Sequence, residues 1–164
     1  MTRLELLLAR IDDRLLHGQV AVGWAASLKP SRIYVVDDAV AGSAWETSLY
    51  SANPPPGAQV EVVSLEAFAT FANSGALDAP HAFLLVRSPA SALRLAELGV
   101  LPAFWNVGGL RHAEQAREIL SYVWVRPADE DAFRELAARG VRLLARDLPM
   151  NPEHDLAVML AGRR

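Results

Sequence analysis

Apolar residues come in short runs, set apart by polar stretches rich in proline or glycine. Leu4–Ala9 is one such run, of strand length. Val20–Leu28 follows with helical spacing, and the pattern predicts a helix beginning near Gly18. Arg32–Asp38 is a β-branched run ending in two carboxylates, read as the second strand. Ala41–Tyr50 suits a short helix that ends before Asn53-Pro54-Pro55-Pro56-Gly57, where proline cannot continue it. Gln59–Val63 reads as the third strand. Ser64 is placed to cap a helix over Leu65–Asn73, closed near Gly75. His81–Val86 is the most apolar strand after the first and is expected at the centre of the sheet. Ser88 as N-cap and Pro89 at the first helical position open a helix through Leu98. Ala103–Val107 is a short strand closed by Gly108-Gly109, and Glu118–Val125 is another. A helix from about Asp129 to Arg139 stops at Gly140. Val141–Arg146 is the last strand, and a short helix is expected around Glu153–Leu160.

Strands alternating with helices predict an α/β fold: a three-layer α/β/α arrangement with a central, mostly parallel but mixed sheet, Rossmann-like, with the active loop after strand 1. No repeat or linker divides the chain, so residues 1–164 are read as a single domain. With 164 residues and 52% apolar content it can build a real core. A net charge of -3 gives no reason to expect a nucleic-acid partner. Cysteine is absent, which removes disulfides and thiolate chemistry together. No run approaches the roughly 18–20 apolar residues of a membrane span, and no signal-like N-terminus is seen. The expectation is a cytoplasmic location.

The chemistry concentrates in Arg10-Ile11-Asp12-Asp13-Arg14-Leu15-Leu16-His17-Gly18-Gln19-Val20, between the first strand and the first helix. In open α/β sheets this is where ligands bind. A neutral imidazole nitrogen is a competent nucleophile near pH 7, so His17 can take up a phosphoryl group and pass it on. Arg14 can pair with phosphate oxygens through its planar fork, and Gly18 leaves room beside first-turn amides. Asp12 or Asp13 could orient the imidazole or pair with Arg10 or Arg14; the order of residues does not choose. The plainer reading is a capping histidine beside a surface ion-pair cluster, worth little energetically.

This stretch resembles the active-site signature of the mannose/fructose/sorbose-family EIIB component of the bacterial phosphoenolpyruvate:sugar phosphotransferase system. The likeness extends through Tyr34–Asp38, Pro55-Pro56-Gly57, Ala92–Leu95, Asn106–Gly109, Asp131–Leu136 and Gly140-Val141, in order along the chain. It implies a protein-N(pi)-phosphohistidine–sugar phosphotransferase. His17 would receive phosphate on Nδ1 from the EIIA phosphodonor protein and give it to a sugar entering through membrane EIIC and EIID components. Arg14 would stabilise the phosphate, and Arg10, Asp13, Gly18 and Gln19 would belong to the same phosphate-binding loop. No metal or organic cofactor is implied. A regulatory phospho-accepting module without sugar transport, a non-covalent anion-binding domain and a homo-oligomer are the other readings. Arg111–Arg117 departs from the polar stretch, with glycine and lysine, usual in the family at that point.

Outside the loop, Asp37 and Asp38 could face the crevice but suit helix capping better. Gly108-Gly109 could cradle an anion or make a tight turn. A metal site from Asp12, Asp37 and His17 lacks ligand spacing. His112 could approach the site, whereas His81 and His154 read as structural or exposed. Leu15, Leu16 and Trp24 are contact candidates near the loop, with Trp24 more simply read as core.

Overall fold

The computed structural model describes residues 2–162. Its eleven strands are β1 (Thr2–Leu4), β2 (Leu8–Asp12), β3 (Arg32–Val36), β4 (Gln59–Val63), β5 (Ala82–Val86), β6 (Val100–Pro102), β7 (Phe104–Gly109), β8 (Arg117–Leu120), β9 (Val123–Val125), β10 (Arg142–Ala145) and β11 (His154–Asp155). A first helix runs as a π-type segment over Gln19–Trp24 and an α-helical turn over Ala25–Leu28, together α1. Then follow α2 (Asp38–Ala41), α3 (Ala44–Ala52), α4 (Leu65–Asn73), α5 (Pro89–Glu97), α6 (Pro127–Ala138) and α7 (Leu156–Gly162).

Seven strands form the main sheet in the order β11-β10-β7-β2-β5-β3-β4, parallel except for β11. Side chains alternate between its faces, and the core divides accordingly. Ile33, Val35, Phe83 and Leu85 pack with Val20, Trp24 and Val40 on one face. Tyr34, Val36, Leu84 and Val86 pack with Phe68, Leu95, Phe133 and Leu156 on the other. Helices therefore cover both faces, as the alternation predicts. β2 is central. The chain leaves it for β3 and β4, then returns through β5 and passes to β7 on the far side. That reversal opens a crevice at the C-terminal ends of β2, β5 and β7.

Three local readings need correction. The first strand is not Leu4–Ala9: Thr2–Leu4 pairs with β6 outside the main sheet, and the core strand is Leu8–Asp12. Charge at Arg10 and Asp12 disguised a strand that stays fully buried. Glu118–Val125 is a hairpin, β8 and β9, rather than one strand. Gly108 and Gly109 belong to β7 and do not close it in a turn. Elsewhere the caps fall where expected: Ser64 accepts from the Ala67 amide and Ser88 from the Ser91 amide.

Candidate active site

Alternation along β2 puts Leu8, Arg10 and Asp12 on the face that α1 covers. Leu8 joins the apolar cluster there, and Arg10 and Asp12 are fully buried beside it. A buried guanidinium needs partners for its donors. Arg10 Nη1 donates to Asn106 Oδ1 at 2.6 Å and to the Arg146 carbonyl at 3.1 Å. Its Nη2 donates to Asp12 Oδ2 at 3.1 Å and to the Asp147 carbonyl at 3.2 Å. The Trp24 ring lies 5.5 Å from Arg10 Cζ, within cation–π range. Burial lowers the Arg10 pKa from its ordinary value, while the Asp12 charge opposes that shift. An arginine guanidinium is not deprotonated in proteins, so the group is a cation. Arg10 thus lies beneath the loop, in the strand, with both Nη groups held by protein groups and its buried Nε without a hydrogen-bond partner.

The glycine pair has its reason here. A Cβ on Gly108 would stand 1.9 Å from Arg10 Cζ, and one on Gly109 would stand 2.9 Å from Arg14 Nη2. Their role in this structure is to admit two guanidinium groups.

Above Arg10, Asp12 organises the loop. Its Oδ1 accepts from the Arg14 amide at 3.0 Å and Arg14 Nε at 3.1 Å, and its Oδ2 accepts from Arg14 Nη2 at 3.1 Å. Arg14 Nη2 also donates to Gln19 Oε1 at 3.0 Å, tying the loop to α1. About a third of the Arg14 side chain remains exposed. Leu15 turns the chain with φ of 56°, a left-handed conformation that costs about 1–2 kcal/mol for a side-chain-bearing residue. Its side chain is fully buried, so it is core rather than a contact surface. The turn brings the Leu15 carbonyl to His17 Nδ1 at 3.1 Å. His17 Nε2 faces Asp12 Oδ2 at 3.7 Å, too far for a hydrogen bond.

The loop then enters α1. The Ala21 amide already bonds the His17 carbonyl, so Gly18, Gln19 and Val20 supply the open first-turn amides. Gly18 is exposed, and nothing in the protein lies within 4 Å of where its Cβ would be. The room beside it is open to a ligand. Asp13 turns the other way: its Oδ2 accepts from the Arg111 amide and Arg111 Nε at 2.8 and 3.1 Å. Asp12 thus lies beside His17, and Asp13 holds the strand-end loop.

Asp13, Arg14, Gln19, Arg111, His112 and Trp124 are among the residues that line a cleft of about 300 Å³ next to the loop. His112 packs edge-on against Trp124 with ring centroids 4.7 Å apart. A larger cleft, about 640 Å³, lies between α6 and α7. It is mostly apolar and remote from His17, so the chemistry favours the smaller one. Asp37 caps α2 through the Val40 amide and pairs with Arg87 at 3.0 Å; Asp38 receives the Leu65 amide. Among the described residues no group of three or more His, Asp or Glu side chains is arranged to hold a metal ion.

Arg146 and Asp147 belong to the floor of the site and escaped the sequence reading; Trp24, read there as core more simply than as a contact, is buried beside Arg10. Asn106 and the glycines after it were visible as a motif, but only the fold shows that they receive Arg10.

The family model described as "PTS system sorbose subfamily IIB component" matches residues 6–164. The sorbose-specific EIIB component of Klebsiella pneumoniae is 36% identical over 150 residues, covering 91% of each chain. The fructose-specific EIIB component of Bacillus subtilis strain 168 is 33% identical over 157 residues, 96% of each. The mannose-specific EIIAB component of Escherichia coli K12 is 36% identical over 146 residues, 89% of this chain but 45% of that protein; the chain spans about half the length of that relative. The crystal structure of the IIBSor domain of the Klebsiella pneumoniae sorbose permease superposes with a TM-score of 0.88 at 32% identity, covering 98% of both chains.

Proposed function

The chain belongs to the sorbose-subfamily IIB family of the phosphotransferase system, and from that premise we propose that it is a phosphocarrier whose acceptor is His17. The phosphoryl group comes from a phosphohistidine of EIIA and passes to a sugar imported through EIIC and EIID, on the cytoplasmic side of the membrane. No helix among the described residues is long and apolar enough to cross a membrane, which agrees with a carrier that works beside membrane components rather than as one.

The observation that carries this reading is one loop that presents a partly exposed imidazole, a guanidinium side chain about a third exposed and the first turn of a helix together, over a buried Arg10–Asp12 pair. Phosphoryl transfer asks for such positioning and charge more than for further covalent chemistry. Arg14 neutralises the equatorial oxygens and Gly18 leaves space for them beside the open amides. Arg10 acts from below by fixing Asp12. Exposed apolar side chains flank the loop on two elements: Val22 on α1, and Trp45 and Leu49 on α3, whose Tyr50 hydroxyl reaches the Arg14 carbonyl. They suit a protein donor.

The test is transfer of label from phosphoenolpyruvate through the general transfer proteins and EIIA. The protein should take up acid-labile label, and His17→Ala should take up none. Adding membranes with EIIC and EIID and the sugar should discharge it. Label that never discharges points to a regulatory phosphoprotein, and a wild-type chain that takes up none overturns the proposal.

A further inference from the structure

We propose that Asp12 is the positioning residue of His17: it accepts the Nε2 proton and so leaves Nδ1 as the nucleophile. This rests on the reading that His17 takes a phosphoryl group. The two ring nitrogens stand in unlike surroundings. Nε2 is sealed from solvent and has no hydrogen-bond partner. Its neighbour is a carboxylate oxygen 3.7 Å away. An incoming phosphoryl group cannot reach that nitrogen, and Asp12 would repel it there. Only Nδ1 remains for the chemistry.

Nδ1 bonds the Leu15 carbonyl at 3.1 Å. A carbonyl oxygen can only accept, so Nδ1 carries a proton in this arrangement and its lone pair is unavailable. The structure thus shows a resting form. To arm it, the ring leaves the Leu15 carbonyl and turns outward; water takes the Nδ1 proton and gives one to Nε2, so the ring stays neutral and returns with Nε2–H toward Asp12 and the Nδ1 lone pair outward. The Nε2 proton then needs an acceptor inside the protein. Asp12 Oδ2 is the acceptor within reach, and a ring movement of under about 1 Å brings 3.7 Å to hydrogen-bond distance. The Nδ1 lone pair forms the new P–N bond. The donor's P–N bond breaks, and its electron pair returns to the donor imidazole. No net proton is consumed.

Asp12 is suited to this by being immovable. Four hydrogen bonds from Arg10 and Arg14 hold both its oxygens. A purely structural Asp12, serving only as counterion to Arg10, would leave Nε2 an orphan in every state, which buried polar groups rarely are.

Ring NMR of the protein labelled with ¹⁵N-histidine and phosphorylated by phospho-EIIA decides the matter. The expected result is phosphorus on Nδ1 and an Nε2–H that exchanges slowly with water. In Asp12→Asn that protection is lost, and the rate constant of phosphoryl uptake falls on the order of 100-fold while the half-saturating donor concentration stays the same. Phosphorus on Nε2, a freely exchanging Nε2–H in the wild type, or a folded Asp12→Asn protein that accepts phosphate at the wild-type rate overturns the proposal. If Asp12→Asn does not fold, the wild-type spectrum still decides. A wild-type protein that takes no label removes the functional reading as well, and so is told apart from a failure of Asp12 alone.

Discussion

Arg14 couples the buried pair to the surface, with one side of its fork on Asp12 and a third of the side chain exposed. A lysine could not hold both Asp12 oxygens and still face a phosphate. Arg14→Lys should therefore slow phosphoryl uptake by His17 roughly tenfold to a hundredfold without unfolding the protein, measured as single-turnover transfer from phospho-EIIA. Asp147 sits beneath, its carbonyl receiving Arg10 Nη2 and Trp24 Nε1. Burial pushes its carboxyl up, but hydrogen bonds from Asn151 and the Leu148 and Asp147 amides, with the Arg10 charge, hold it below its ordinary value of 3.8. The sign follows: the unfolded chain binds the proton more readily, so this carboxylate stabilises the fold above about pH 4 and ceases to as pH falls through its folded pKa. Asp147→Asn should lower the urea midpoint at pH 7, and the gap to wild type should narrow as pH falls below the ordinary carboxylate value. Residue by residue, the sequence revealed the actors but not their depth. Arg10, Asp12, Asp13 and Arg14 read as one charged loop, whereas Arg10 and Asp12 lie on a buried strand face with Leu8. The period of two was there, carried by charged side chains that hydropathy discounts.

At the level of elements, β7 shows why Gly108-Gly109 could be misread as a turn. Two glycines usually mark a bend, and their use as space for guanidinium groups depends on β2, which precedes them by about a hundred residues and lies beside them in the sheet. Gly108→Ala should expel the Arg10 side chain, leave Asp12 without a buried partner and cost about 3 kcal/mol or more, seen in chemical denaturation. Helix α1 was legible from Val20–Leu28, but its π-type segment was not, since the same apolar spacing serves either winding closely enough. Its end is instructive: Lys29 caps it with φ of 52°, where glycine is the usual occupant. Lys29→Gly should stabilise the protein by about 0.5–1 kcal/mol, with a matching rise in Tm and unchanged phosphoryl uptake.

Across the whole molecule, the layered sheet and the place of the loop followed from alternation of strands and helices, because a crossover pattern constrains the fold strongly. The separate β1–β6 pair and the β8–β9 hairpin did not, since short pairings outside the main sheet leave no periodic trace. The exposed Val22, Trp45 and Leu49, at 78%, 72% and 54% exposure, stand on the two helices beside the loop. Trp45→Ala with Val22→Glu should raise the half-saturating concentration of phospho-EIIA at least tenfold and leave the fold intact, as expected when apolar anchors of a protein contact are removed. The predictions of phosphoryl uptake at Arg14, Val22 and Trp45 turn on where the phosphoryl group comes to rest. The most direct measurement is peptide mapping, at alkaline pH, of the protein phosphorylated by phospho-EIIA. The account predicts phosphate on a single peptide, at His17; phosphate at His81, His112 or His154 with His17 unmodified would contradict it.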